Sequence, residues 1–161
     1  MQRLIRTASM LAVMSLAHLG LSFAAGPMEM KVEHLEGGYS VEMPEALSIS
    51  QVSKVGDFRL YKVANSAGTE LLMIYLGNFP AGDFKPPTRL VHSLGRIGGY
   101  VETSDRWTEK DATHSGITLI QLTGRGGWPQ VAQLGFRELT MSDFKLAEKI
   151  VRSFSQDQTQ K

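Results

Sequence analysis

Short runs in which apolar and polar side chains alternate limit this chain more than any other feature. Tyr39, Val41 and Met43 alternate with Ser40 and Glu42 before Pro44 stops the run. Residues 58–63 repeat the pattern, and Asn65-Ser66-Ala67-Gly68 then reads as a turn. Ala132, Leu134 and Phe136 alternate with Val131, Gln133 and Gly135. A period of two sends successive side chains to opposite faces of a strand, so each run marks a strand with one apolar face. Leu71-Leu72-Met73-Ile74-Tyr75-Leu76 is apolar on both faces, as suits a central strand covered on both sides. Residues 47–55, 100–108 and 117–122 carry further strand signals, and Gly124-Arg125-Gly126-Gly127-Trp128-Pro129 reads as a hairpin-like connection.

Two stretches break that period. In residues 87–97, Pro87 suits a first helical turn. Leu90, Val91, Leu94 and Ile97 are spaced for one helical face, with Arg89, His92, Ser93 and Arg96 opposite and Gly98-Gly99 as the stop. The second stretch opens on Thr140-Met141-Ser142-Asp143, a capping box with Asp in place of Glu. Phe144, Ala147, Ile150, Val151 and Phe154 form its apolar face, and Glu148 and Arg152 an i,i+4 pair outside. Four strands, a helix, three strands and a helix predict an α+β fold. Its centre would be an antiparallel sheet of about six to seven strands with two helices packed on its faces.

The chain of 161 residues starts with a different kind of segment. Arg3 and Arg6, an apolar run over residues 8–23 and the small residues around Ala24 and Ala25 predict a secretory signal peptide, cut after Ala24 or Ala25. The run is shorter than the roughly 20 apolar residues a spanning helix needs. The expected organisation is a signal peptide over 1–24 and one domain over 25–161, with a frayed tail from 155. The expected location is the periplasm, with no membrane contact after cleavage.

Of 17 Lys and Arg, two lie in the signal, which leaves 15 against 16 acidic residues and a mature charge of −1. Dispersed, balanced charge gives no footprint for nucleic acid. The chain has no cysteine, which excludes disulfides, thiol catalysis and zinc ribbons.

No motif marks a cofactor or metal site. His34, His92 and His114 stand far apart, without ligand spacing. Asp111, Thr113, His114 and Ser115 are close in sequence, but a polar turn accounts for them and catalytic triads are assembled by the fold rather than by adjacency. Trp and Arg are enriched where proteins bind one another, and Arg125 and Trp128 flank a glycine-rich turn. Phe79, Asp83 and Phe84 occupy another loop of the same character. These five residues are the candidate contacts of a non-enzymatic module that binds another protein. The sharpest form of that expectation is an immunity or inhibitor protein that blocks a toxic secreted effector. The alternatives are a small periplasmic hydrolase or metal-dependent enzyme using His92 or His114 beside a carboxylate, and an envelope assembly or stress factor.

Two stretches carry a resemblance. Gly38-Tyr39-Ser40-Val41-Glu42-Met43-Pro44 resembles the opening strand of the PsbP-like superfamily. Residues 143–154, ending Ile150-Val151-Arg152-Ser153-Phe154, resemble its closing helix. The resemblance implies a central antiparallel sheet between helices and a protein that mostly binds other proteins. Several bacterial immunity proteins against type VI secretion effectors look like this fold. Neither stretch is a functional site, so the resemblance assigns no functional residue.

Overall fold

The computed structural model describes residues 28–80, 87, 89–122 and 127–157. The expected signal peptide lies outside the described residues. Five strands come first: β1 (Met30–Leu35), β2 (Tyr39–Pro44), β3 (Ser48–Val55), β4 (Phe58–Ala64) and β5 (Glu70–Gly77). Then follow β6 (Val91–Ile97), β7 (Tyr100–Thr108), β8 (His114–Gln121) and β9 (Val131–Leu139), the helix α1 (Met141–Arg152) and the two-residue β10 (Ser155–Gln156). Seven strands form one antiparallel sheet in the order β3-β4-β5-β9-β8-β7-β6, and β1-β2-β10 form a second, smaller one.

Register explains where the core lies. Ile74 pairs with Tyr61 on β4 and Leu134 on β9, and Leu76 pairs with Ala132, which also pairs with Ile120 on β8. These side chains therefore share one face of the large sheet. Ala147, Ile150 and Val151 of α1 cover that face, and Val41 and Met43 of β2 join the same core with Phe154. Burying each of the larger aliphatic side chains contributes roughly 2 kcal/mol. The helix begins where the sequence predicts. Thr140 is the N-cap, its Oγ1 accepting from the Asp143 amide at 3.3 Å and donating to Asp143 Oδ2 at 2.9 Å.

The α+β expectation with two helices is overturned: the described residues hold ten strands and a single helix. The expected helix over 87–97 ends in strand β6, whose seven residues pair with β7 from Val91–Arg106 to Ile97–Tyr100. Gly98 and Gly99, read as a helix stop, have φ of +56 and +87. Two left-handed residues in a row make the tight turn that joins antiparallel strands. The helical spacing of Leu90, Val91, Leu94 and Ile97 does not describe a buried face, because Val91 and Leu94 are exposed.

A second correction concerns α1. Glu148 and Arg152 do not pair with each other along the helix but reach down to the sheet. Arg106 Nε donates to Glu148 Oε1 at 2.6 Å, and Arg152 Nη1 donates to Glu102 Oε1. Glu102 is 2 % exposed and also accepts from the Ser104 hydroxyl, which lies 3.1 Å from the Thr118 hydroxyl. Arg106 Nη2 closes the network on Thr118 at 2.7 Å. Helix and sheet are thus joined by a partly buried polar chain whose groups are partnered.

Candidate functional site

Four connections meet at one end of the large sheet. The β1–β2 turn brings Glu36 and Gly37, and the β3–β4 turn brings Gly56 and Asp57. Asn78 and Phe79 follow β5, while Trp128 and Pro129, joined by a cis peptide bond, precede β9. The Trp128 indole N–H donates to the Asp57 carbonyl at 2.5 Å, and Asn78 Nδ2 donates to Asp57 Oδ2 at 3.4 Å. The Arg59 guanidinium lies over the indole, 4.9 Å from its centroid. Such a stacked cation contributes about 0.5–1 kcal/mol at an exposed site.

Arg59 also fixes the acid beside it. Its Nε donates to Glu36 Oε2 at 2.5 Å, and Lys54 Nζ stands 2.9 Å from Glu36 Oε1. The bond from Arg59, then that from Lys54, holds the Glu36 carboxyl down at about 2. The Glu36 amide donates to the Tyr61 hydroxyl at 3.0 Å, and burial raises the Tyr61 phenol above its ordinary range.

The sequence-predicted contacts are distributed as follows. Phe79 stands at this end and is 74 % exposed. Trp128 is half-buried against the core, with one edge tied to Asp57 and one face under Arg59. Arg125, Asp83 and Phe84 lie outside the described residues. Asp57, Arg59 and Glu36 had no signal in the sequence, because Asp57 and Arg59 reach the indole, and Glu36 reaches Arg59, only where two turns fold together. The glycines of those turns were the one hint.

The histidines have no common site. His92 pairs in register with Asp105, its Nδ1 2.6 Å from Asp105 Oδ1. His114 pairs in register with Thr108, on the strand face that carries Arg106, and its ring packs 5.0 Å from that of Phe144. Asp105 and Arg106 are neighbours on one strand, so His92 and His114 lie on opposite faces of the sheet. The same alternation separates His114 from Ser115. The Ser115 hydroxyl donates to Glu109 Oε1 at 3.0 Å and accepts from the Glu138 amide at 2.9 Å. Asp111 accepts from the Thr113 hydroxyl and amide, closing a local turn that lowers the Asp111 carboxyl.

An open groove of about 530 Å³ runs beside the start of β6, lined by Arg89, Arg106, Trp107, His114 and Phe144 among others. Its Arg106 is occupied by Glu148, Thr118 and the carbonyls of Asp105 and Ile117. Among the described residues no group of three His, Asp or Glu stands close enough to hold a metal ion.

No family model matches the chain, and no curated protein matches it. Among solved structures, a crystal structure of a protein from Bacteroides thetaiotaomicron is similar over 77 % of this chain and 47 % of its own length. The identity is 13 % and the TM-score 0.39. The chain spans about half the length of that protein. A likeness this loose carries no function across.

Proposed function

We propose that this chain is an exported module that binds another protein through the end of the sheet where Phe79 and Trp128 stand. One observation carries the reading. Two loops 49 positions apart, at Phe79 and Trp128, each carrying an aromatic read from the sequence as a candidate contact, meet around the single residue Asp57, through Asn78 and the Trp128 indole. The two side chains differ in role. Trp128 is a support, clamped by Asp57 and Arg59, and Phe79 is the part presented to solvent. An exposed aromatic beside a clamped one and a stacked arginine has the composition of a binding hot spot.

The narrower reading, an immunity protein that blocks an exported toxin, adds the signal-like N-terminus and the resemblance of two stretches to the PsbP-like superfamily. The test follows from the difference in exposure. Phe79→Asp leaves every hydrogen bond of the site in place, so the melting temperature should stay within about 2 °C, as for most surface changes. Affinity for the protein captured from periplasmic extract should fall at least roughly tenfold if Phe79 is an anchor. Capture that is unchanged by Phe79→Asp would remove this surface. A captured protein that kills cells when expressed without this chain would support the immunity form, and one that is harmless would overturn it.

A further inference from the structure

β6 is the edge of the large sheet farthest from Phe79 and Trp128, and its defences differ from those of the other edges. An exposed edge strand invites pairing, and proteins blunt such edges with bulges, charges or proline. β3, at the opposite edge, has a bulge between Gln51 and Ser53 and carries serines, a glutamine and Lys54. β1, at the edge of the small sheet, carries Lys31 and Glu33. β6 pairs with β7 without interruption over all seven of its residues, contains neither proline nor lysine, and has Arg96 as its one Lys, Arg, Asp or Glu. Val91 is 70 % exposed and Leu94 74 % exposed.

The residues of β6 also form a near-palindrome by chemical type: Val-His-Ser-Leu-Gly-Arg-Ile. Its centre is Leu94. In a two-residue hairpin the flanking residues form a hydrogen-bonded pair, here Ile97 and Tyr100. Counting back by twos, Ile97, Gly95, Ser93 and Val91 direct their backbone groups to β7. Arg96, Leu94 and His92 direct theirs outward, to an edge that pairs with no other strand among the described residues.

We infer that β6 pairs antiparallel with β6 of a second copy, about a two-fold axis through Leu94, to make one continuous sheet of fourteen strands. In that register Leu94 faces Leu94, Ser93 faces Gly95 and Val91 faces Ile97. Both exposed aliphatic side chains gain apolar neighbours, and small residues meet where bulk would clash. Charge fits as well. Arg96 of the second copy falls opposite His92, on the face where His92 already holds Asp105 at 2.6 Å. Each end of the joint then sets a guanidinium beside a carboxylate–imidazole pair. An antiparallel copy of the strand matches this near-palindrome at every position.

The interface is small against the roughly 1,000 Å² of stable complexes, so the expected dissociation constant is about 10 µM. Sedimentation of the purified chain at about 100 µM, tenfold above that constant, should show dimers. Leu94→Pro removes an outward N–H and no bond to β7, and Leu94→Lys sets like charges face to face. Both should reduce association at least tenfold with the circular dichroism spectrum unchanged. The absence of cysteine allows a test of register. Leu94→Cys should form a disulfide between copies, since hydrogen-bonded pairs place Cα atoms about 5.5 Å apart, within disulfide reach. Val91→Cys should not, because its two copies would stand roughly 20 Å apart. A monomer at about 100 µM, a dimer that survives both Leu94 substitutions, or equal cross-linking at 91 and 94 would overturn the inference.

Discussion

Gly37 has φ +89, and a Cβ built on it would stand 2.7 Å from Pro129 Cδ and 3.2 Å from the Trp128 ring. Gly68 has φ +80 and nothing within 4 Å of the same position. The pair separates two causes of a glycine. Alanine at either must adopt a left-handed conformation, which costs about 1–2 kcal/mol. Only alanine at 37 must also displace the Trp128–Pro129 unit that Asp57 and Arg59 hold. Gly68→Ala should therefore lower stability by about 1 kcal/mol, and Gly37→Ala by roughly 1–2 kcal/mol more. Urea unfolding read by circular dichroism gives both values. The tryptophan emission of Gly37→Ala should change and that of Gly68→Ala should not. Equal losses would mean that Trp128 gives way freely. Trp128 was visible in the sequence as a costly side chain, whereas its hydrogen-bond acceptor lies 71 positions away and could not be.

At the scale of elements, α1 and β6 show why one periodic pattern is trustworthy and another is not. Both stretches carry apolar residues three and four apart. The α1 stretch also has a capping residue that the structure uses, strong helix formers and a buried face at 147, 150 and 151. The β6 stretch has Val, His, Ser and Gly in place of helix formers, and Gly95 alone costs about 1 kcal/mol in a helix interior. Gly95 instead lets Glu102 lie across the strand, 2.7 Å from where a Cβ would be. Weak local preference yields to β7, whose ladder needs a partner.

The polar chain under α1 yields a prediction at the same scale. Arg152 is about half exposed and Glu102 is buried, so removing the arginine strands the acid. Arg152→Met should destabilise by about 2 kcal/mol, below the 3–5 kcal/mol of a fully buried pair because the guanidinium is partly in water. Adding Glu102→Gln, which keeps a polar partner for Ser104 and removes the stranded charge, should restore roughly half of the loss. A double variant as unstable as the sum of the singles would show that the two groups are not coupled.

For the whole molecule, the joint between the two sheets was the least legible part. β1 presents no apolar face, since Val32 is exposed, and β10 has only two residues. Both exist because β2 lies between them, with Ser155 and Gln156 paired to Ser40 and Tyr39. The tail, expected to fray from 155, is instead held as far as Asp157, whose amide donates to Gly38. Tyr39 is the hinge of this arrangement. It is 7 % exposed, stacks on Phe154 at 5.4 Å and lies 6.2 Å from Tyr100 at the start of β7. Burial, and then the neighbouring Tyr100, pushes the Tyr39 phenol up to about 12 from 10. A raised folded value means that the protein favours the neutral phenol. The stability linked to Tyr39 is therefore whole below pH 10 and is lost as pH rises from 10 through 12. Tyr39→Phe keeps the ring that stacks on Phe154 and removes the ionisation, so the alkaline unfolding midpoint should rise by about half a pH unit. Four tyrosines absorb as phenolate, so the part due to Tyr39 is the difference between the chain and Tyr39→Phe, read beside unfolding by circular dichroism. If the midpoint stayed put in Tyr39→Phe, Tyr39 would not be the group that opens the joint between the sheets.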